Sequence, residues 1–199
     1  MNKFIIAGII VLLLGIGTAF YFQKTETLPT ELAKRTQQAI RECNHEPIKE
    51  QTEGPYYKSG SPRTNELYNE SITGEKVVLS GYVLNTDCTP VANAWIDFWQ
   101  ANGNGEYDNN GYTLRGHQYT DTDGKFFLVT VIPGEYPGRT PHIHFKIRAN
   151  DSSPIITSQL YLPDSKTNES DAIFDQGLVM NVIREENKVF ATYNIIINK

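Results

Sequence analysis

The sequence predicts an all-β domain: an antiparallel β-sandwich of about eight strands, with long active-site loops and a short N-terminal helix. Two observations support this fold class. After Glu75, short runs rich in β-branched and aromatic residues alternate with clusters of Gly, Pro, Asn and Asp. No stretch of helical periodicity separates these runs, and strands without intervening helices favour an antiparallel sandwich over an α/β fold.

The candidate strands share this composition and the turn signals at both ends. They are residues 76–84, 94–101, 117–120, 125–132, 142–149, 155–162, 178–185 and 189–197. The tripeptide Thr122-Asp123-Gly124 is typical of a hairpin turn, and residues 185–188 are expected to join the last two strands.

The chain divides into three parts: a membrane anchor or signal segment over residues 1–23, a linker and short helix over 24–50, and the sandwich domain over 51–199. Residues 4–22 are uncharged and mostly apolar. A membrane helix needs roughly 17–25 such residues and a signal-peptide core only about 7–15, so the length favours an anchor. Small residues at Gly15, Gly17 and Ala19 leave cleavage open.

Lys3 favours a cytoplasmic N-terminus, which would place the domain outside the cytoplasm. The protein is then membrane-anchored, or secreted or periplasmic if the segment is cleaved. Thr30 can cap a helix that runs towards Cys43, because good helix formers follow it. Residues 51–73, rich in Gly, Pro, Ser, Asn and Tyr, predict a long ordered loop over the surface.

The formal net charge is −5, and no cluster of Lys and Arg is available to neutralise phosphates. This composition argues against a nucleic-acid partner. The sequence leaves a homo-oligomeric state open.

The two cysteines are Cys43 and Cys88. An even number in an exported protein predicts one disulfide, with two unpaired buried thiols as the alternative. No Cys-x-x-Cys sequence indicates a redox motif or a zinc ribbon.

The segment from Gly134 to Phe145 is the most informative part of the sequence. In a strand, residues i and i+2 project to the same face, so His142 and His144 would point together, away from Ile143 and Phe145. Two adjacent imidazoles on a rigid strand form a pair of potential metal ligands. A strand that carries two structural histidines is the alternative.

Tyr136 follows Gly134 and precedes Pro137, so a turn is expected to present its phenol. Tyr107 lies in a glycine-rich loop directly after the strand that contains Trp99. A phenol with a pKa near 10 is a poor ligand for soft or divalent ions, but a hard ion such as Fe(III) would accept two tyrosinates with two neutral imidazoles. Half-buried structural tyrosines are the alternative.

Arg139 stands three residues before His142. Its guanidinium cannot lose its proton, so it could supply fixed positive charge to an anionic substrate or transition state. An ordinary surface arginine is the alternative.

Taken in this order, these motifs resemble the intradiol ring-cleavage dioxygenases, non-haem ferric enzymes that open catechols between the two hydroxylated carbons. The resemblance covers roughly residues 53–162 and is weaker towards the C-terminus. It includes segments 52–57, 81–83, 94–101, 105–107, 120–124 and 133–145.

The resemblance implies one Fe(III) per chain. Its ligands would be Tyr107, Tyr136, His142 and His144. It also implies that the tyrosine at Tyr136 leaves the iron when substrate binds and helps accept a substrate proton. Arg139 would lie against the substrate and assist the chemistry, and Gln159 and Tyr56 would contribute to substrate binding.

The implied reaction uses a catechol-type substrate and O2. The catechol binds as a chelating dianion, and insertion of O2 followed by hydrolysis of a cyclic anhydride gives a cis,cis-muconate. The residues between Tyr136 and Arg139 depart from the pattern, because the catechol and protocatechuate enzymes carry a longer insertion there. The export signal and the two cysteines are closer to short, exported members of the family.

Two rival functions use similar features. A cupin dioxygenase also has His-x-His, but it needs a carboxylate about four residues later, and residues 145–149 contain none. A non-catalytic exported β-sandwich, transthyretin-like or adhesin-like, would serve as a binding module. Such a module does not require Tyr107, Tyr136, His142 and His144 together.

Overall fold

The computed structural model describes residues 43–186 and 188–198. Its strands are β1 (Lys76–Asn85), β2 (Trp95–Gln100), β3 (Arg115–Tyr119), β4 (Lys125–Val131), β5 (His142–Arg148), β6 (Ile156–Tyr161), β7 (Asn181–Glu185), β8 (Lys188–Thr192) and β9 (Ile195–Ile197). Two 3₁₀ turns, Asn168–Ser170 and Gln176–Leu178, lie between β6 and β7.

The strands form two sheets, which confirms the predicted all-β sandwich. One has the order β3-β2-β5-β6 and is antiparallel throughout. The other has the order β4-β1-β8-β7, with β9 also paired to β1. Strands β8 and β9 run parallel to β1, a pairing that the turn signals did not indicate.

The core lies between the two sheets. Phe98 is fully buried there, with its ring centroid 5.9 Å from that of Phe126 and 6.2 Å from that of Phe145. These side chains come from β2, β4 and β5, so they connect both sheets. Alternation along β5 directs Phe145 inward, and the neighbouring His144 consequently lies on the outer face.

The turn at residues 122–124 does not form the predicted hairpin. The strands on either side belong to different sheets, because β3 pairs with β2 and β4 pairs with β1. The local turn chemistry is nevertheless present: Asp121 Oδ1 accepts hydrogen bonds from the backbone N–H groups of Asp123 and Lys125, and Gly124 has φ +73°. Local turn residues therefore bend the chain without determining which strands pair. By contrast, β7 and β8 form the expected antiparallel pair.

The predicted final strand is divided into β8 and β9 at Tyr193 and Asn194. Tyr193 N donates to Ser80 O at 3.1 Å, and Asn194 Oδ1 accepts from Tyr82 N at 3.2 Å. A Cβ on Gly81 would lie 1.7 Å from the Tyr193 carbonyl oxygen. A glycine at position 81 is thus what allows the chain to pass this close to β1.

The strand predicted over residues 178–185 begins later, at Asn181. Asp175 accepts a hydrogen bond from Gly177 N and caps the 3₁₀ turn Gln176–Leu178. This turn includes residue 178, where the strand was predicted to begin.

Residues 51–73 form the expected long loop without a regular strand or helix. Within that loop, single bridges link Arg63 to His117 and Glu66 to Val129.

A disulfide joins Cys43 to Cys88, as predicted. Residues 43–50 contact the sandwich directly: Ile48 N donates to Ile196 O at 2.6 Å, and Lys49 O accepts from Ser158 Oγ at 2.7 Å. The predicted anchor or signal segment and the predicted N-terminal helix lie outside the described residues. Across residues 43–186 and 188–198, no helix is long and apolar enough to cross a membrane.

Candidate functional site

The two histidines of β5 converge on the outer face of the antiparallel sheet. His144 lies opposite Trp99 of β2 and Gln159 of β6, and His142 lies opposite Tyr161. The Nε2 atoms of His142 and His144 are 3.0 Å apart. Both residues are buried, and the 51–73 loop approaches His144 at Gly54, where an added Cβ would lie 3.7 Å from His144 Cε1.

The ring orientation of each histidine is fixed by a neighbour. His142 Nδ1 donates to the Thr140 carbonyl at 2.6 Å, so Nε2 carries the free lone pair. The His144 ring stacks on Trp99, with ring centroids 4.7 Å apart and planes 7° from parallel. Within the part of the chain that the structure describes, His144 Nδ1 is buried without a hydrogen-bond partner.

Burial also determines the charge of the pair. Desolvation, with a smaller contribution from the nearby Arg139 guanidinium, lowers the pKa of His142 to about 4. Burial holds the pKa of His144 well below its usual range, and His142 and Arg139 act in the same direction. Both imidazoles are therefore neutral near pH 7, which is the state that binds metal.

The two predicted tyrosines lie on separate loops that meet beside the histidines. Tyr136 Oη is 3.4 Å from His142 Nε2. The Tyr107 ring centroid is 5.8 Å from that of Tyr136 and 6.4 Å from that of His144. Tyr107 Oη is buried and makes no hydrogen bond of good geometry among residues 43–186 and 188–198, although the Tyr136 hydroxyl lies close enough to influence its pKa. An unsatisfied buried phenol is costly for a protein unless a further group completes the site.

Two glycines bring these loops together. A Cβ on Gly105 would lie 2.1 Å from the Glu135 carbonyl oxygen, and one on Gly134 would lie 2.4 Å from the Gly103 carbonyl oxygen. Gly134 N also donates to Asn102 O at 2.8 Å. The phenols of Tyr107 and Tyr136 can meet only because the backbones approach this closely.

Burial is the main influence on both phenols. It raises the pKa of Tyr107 far above the ordinary value, and the adjacent Tyr136 adds to the shift. Burial also raises the pKa of Tyr136, against the opposing effect of the Arg139 guanidinium. Ionisation of either phenol therefore requires a strong positive charge in the site.

Arg139 projects into the site from a tight turn. Arg139 N donates to Tyr136 O at 2.9 Å, and Gly138 between them has φ +78°. The guanidinium Nη1 donates to Tyr136 Oη at 3.3 Å, and Nη2 donates to Gln159 Oε1. Arg139 is thus part of the site and not an ordinary surface arginine.

The other predicted residues also lie here. Tyr56 stacks on Tyr107, with ring centroids 4.3 Å apart and planes at 13°, and meets the Tyr136 ring edge-on at 6.1 Å. Gln159 Nε2 donates to the Thr52 carbonyl at 3.1 Å, which ties the loop to β6. Every residue predicted for the site is therefore within one cluster.

Sequence reasoning missed several residues that support this cluster. Trp99 of β2 lies directly opposite His144 of β5. Knowledge of which residues of the two strands pair would have identified it. Arg115 is buried, with its guanidinium carbon 6.0 Å from the Tyr107 ring centroid. Asp171 accepts a hydrogen bond from Arg139 Nε at 2.9 Å. No local motif marks Asp171, because it is distant in sequence from its partner.

A second group of potential ligands lies elsewhere. Within the described ranges, Cys43, His45 and Cys88 form a group of His, Cys, Asp and Glu side chains whose ligand atoms lie close enough to hold a metal. Both sulfurs are bonded to each other, so neither is available as a thiolate. This group is a disulfide with an adjacent histidine.

Comparison with known proteins agrees with the geometry. The sequence model of a family described as dioxygenase matches residues 52–196. A hydroxyquinol 1,2-dioxygenase from Rhizobium sp. (strain MTP-10005) is 31% identical over 61% of this chain and 50% of its own. A protocatechuate 3,4-dioxygenase beta chain from Burkholderia cepacia is 32% identical over 55% and 54%. The chain thus spans about half the length of these relatives.

Solved structures share the fold. The dioxygenase domain of a dioxygenase–carbohydrate-binding protein fusion from Streptomyces sp. SirexAA-E is 42% identical, with a TM-score of 0.74 over 77% of this chain and 99% of that one. An intradiol ring-cleavage dioxygenase from Tetranychus urticae gives a TM-score of 0.71 at 23% identity, over 77% and 95%. At that identity the second likeness concerns the fold alone.

Proposed function

Since the chain belongs to the intradiol ring-cleavage dioxygenase family, we propose that it is a non-haem Fe(III) enzyme acting on a catechol-type aromatic. The reaction inserts O2 between the two hydroxylated carbons and gives a cis,cis-muconate-type product. The observation that carries this proposal is the convergence of His142 Nε2, His144 Nε2 and Tyr136 Oη, with the buried Tyr107 phenol beside Tyr136.

The donor set fits ferric iron. Two neutral imidazoles and two phenols offer nitrogen and oxygen atoms without a thiolate, which suits a hard trivalent ion more than a soft one. Burial makes the phenols costly to ionise, and a trivalent cation would reverse that preference. Tyr107, Tyr136, His142 and His144 would hold the metal, one ion per chain.

The iron, when bound, would draw electron density from the catecholate and make its ring reactive towards O2. The residues of the chain position the substrate and manage charge around it. In its tyrosinate form, which the adjacent Arg139 guanidinium favours, Tyr136 would accept a proton from a substrate hydroxyl and become a neutral phenol. The fixed charge of Arg139 would stabilise negative charge that develops on the ring.

Tyr56 and Gln159 complete the substrate contacts in this proposal. The Tyr56 ring lies flat against Tyr107 and edge-on to Tyr136, so it forms an aromatic wall beside the phenol oxygens. Gln159 Oε1 accepts a hydrogen bond from Arg139 Nη2 and so helps to hold the guanidinium. An aromatic wall together with a fixed cation suits a planar, anionic catechol.

The disulfide between Cys43 and Cys88 supports an oxidising compartment for this domain. We therefore place the domain outside the cytoplasm, held by an anchor at residues 4–22 or released after cleavage.

The test is a visible absorption spectrum of the purified full chain, recorded with and without catechol alongside metal analysis. A reddish tyrosinate-to-iron band that shifts on addition of catechol is expected. Tyr107→Phe serves as the matched control, because it removes one phenol oxygen and should weaken the band. A colourless protein that takes up no iron on reconstitution would favour the non-catalytic binding module.

A further inference from the structure

Asp171 is a buried carboxylate at the edge of the site. It lies in the connection between β6 and β7, directly after the 3₁₀ turn Asn168–Ser170, and its side chain is 1% exposed. Its Oδ2 accepts from Arg139 Nε at 2.9 Å and from Thr140 N at 3.0 Å. Its Oδ1 accepts from Ile173 N at 3.1 Å. A buried carboxylate with this many donors has one defined position.

We propose that Asp171 is a positioning residue that sets Arg139 and His142 together for the reaction. The inference deepens the proposed function and rests on it. The side-chain hydrogen bonds of Asp171 within the described part of the chain go to Arg139, Thr140 and Ile173, and not to the proposed metal ligands. It acts through Arg139 on one side and through the backbone of Thr140 on the other.

The first link runs through the guanidinium. Arg139 uses Nε for Asp171, Nη1 for the Tyr136 phenol and Nη2 for Gln159. The planar fork of arginine makes these contacts interdependent, since rotation about the side chain would break them together. Without the Asp171 carboxylate, a largely buried cation would lose its counter-charge and its orientation.

The second link runs through the backbone of Thr140, whose N–H and C=O belong to the two successive peptide groups on either side of its Cα. Its N–H donates to Asp171, and its carbonyl accepts from His142 Nδ1 at 2.6 Å. The position of that carbonyl determines which His142 nitrogen is protonated and how the ring turns. The Thr140 hydroxyl donates to Asn168 Oδ1 at 2.6 Å, so the same loop holds this residue a second time.

The short turn between Tyr136 and Arg139 explains why such support is needed. A Cβ on Gly138 would meet nothing within 4 Å, so the tip of the turn has open space around it. Contacts from the β6–β7 connection therefore hold the turn in place: Asp171 at Arg139, and Thr167, which donates to Glu135 Oε1 at 2.9 Å. In this chain, that connection acts as the rigid base of the turn.

The test compares Asp171→Asn with Asp175→Asn. The asparagine keeps the shape of Asp171 but removes its negative charge, and its single oxygen cannot accept on both sides as the two carboxylate oxygens do. Asp175 is the matched control because it lies in the same connection, caps the 3₁₀ turn through Gly177 N and pairs with Lys49, away from the site.

The first readout uses metal-free protein, so it does not depend on turnover. Nitrogen-15 NMR should show a protected Arg139 Nε–H signal, identified by its absence in Arg139→Gln, and a His142 ring protonated at Nδ1. Asp171→Asn should lose the protection and alter the His142 ring signals, while Asp175→Asn should leave both unchanged. Unchanged signals in Asp171→Asn would overturn the inference.

The second readout is kcat/KM per bound iron with catechol as the probe. Asp171→Asn should lower it roughly 10–100-fold, the usual effect of a residue that orients ligands. The loss should not add to that of Arg139→Gln in the double variant, because both changes affect one unit. Additive losses, or turnover equal to that of Asp175→Asn, would contradict the inference. Wild-type protein without iron or turnover would instead refute the proposed function, and the NMR result would still stand.

Discussion

The indole ring of Trp99 lies flat against the imidazole of His144, with centroids 4.7 Å apart and planes 7° from parallel. Tyr57 packs edge-on against Trp99, with ring centroids 4.8 Å apart and planes at 61°. Its hydroxyl donates to Asp97 at 3.1 Å. The orientation of His144 is thus set by a stack of aromatic side chains that ends in a buried carboxylate.

Trp99→Ala should remove the surface on which His144 rests. Truncation of a buried tryptophan usually costs about 3–5 kcal/mol of unfolding free energy, and the freed imidazole should bind iron more weakly. Trp99→Phe is the control, since it keeps a flat ring at the same position. Urea unfolding and iron content per chain measure both effects. Equal iron affinity in the two variants would show that the stack does not orient the ligand.

His142→Ala and His144→Ala should abolish iron retention while the sandwich stays folded, because both rings lie on the outer face of the sheet. Changes in residues that merely support a ligand cost roughly 10–100-fold in metal affinity, so loss of the ligand itself should cost more. Metal analysis and circular dichroism measure the two properties. A variant with full iron and turnover would show that the proposed ligand set is wrong.

Arg139→Gln should leave iron bound but slow ring opening, since the arginine contacts Tyr136 and Gln159 and supplies charge. Loss of one preorganised electrostatic contact usually costs about 10²–10³ in kcat. Stopped-flow kinetics with catechol would measure the chemical step, with the absorption band as the control for iron. Unchanged turnover would remove Arg139 from the mechanism.

The metal-free protein should lose stability in acid. The pKa of His142 is about 4 in the folded chain and near 6.5 when unfolded, so the unfolded chain binds more protons between these values. The contribution of His142 to the free energy of unfolding is therefore fully present above about pH 6.5. It is lost as the pH falls towards 4, which lowers the free energy of unfolding by up to ~3 kcal/mol. Urea unfolding at several pH values tests this.

The matched variant for that experiment is His142→Gln, which removes the titrating ring. It should show a shallower loss of stability between about pH 6.5 and 4, with the remainder due to His144 and other groups. Identical pH profiles for the two proteins would mean that His142 is not held neutral by burial.

Removal of the disulfide by Cys43→Ser with Cys88→Ser should lower the free energy of unfolding. The bond closes a separation of 45 residues, which corresponds to roughly 4 kcal/mol in the chain-entropy model. Urea unfolding with and without reductant measures the change, and mass spectrometry without reductant should show the linked peptides. Two free thiols in exported protein would refute the bond.

The sequence was sufficient for the features that depend on local periodicity. Alternation along β5 predicted that His142 and His144 share a face, and their Nε2 atoms are 3.0 Å apart. The glycine-rich contexts of Tyr107 and Tyr136 correctly indicated loops. Their proximity followed from the resemblance to a family and not from spacing, because the contact depends on how two distant loops pack.

Features that depend on contacts between residues far apart in the chain could not be predicted from the sequence. The residues of the 122–124 turn are those of a hairpin, yet the flanking strands enter different sheets. The break at Tyr193 follows from its close approach to Gly81, which lies more than a hundred residues earlier. The role of Asp171 could not be predicted for the same reason: its partners Arg139 and Thr140 are distant from it in sequence, and it lies in no recognisable motif.

The close approach of the loops at Gly105 and Gly134 restricts how this site can diverge. Neither position has room for a side chain, so a change in one loop would force apart the two phenols that both loops present. The exposed tip of the turn at Pro137 and Gly138 has room for inserted residues, although a side chain on Gly138 itself would be strained at φ +78°. New length inserted there would reshape the mouth of the site and leave the distance between Tyr107 and Tyr136 intact. Substrate range and donor geometry can therefore evolve independently in this fold.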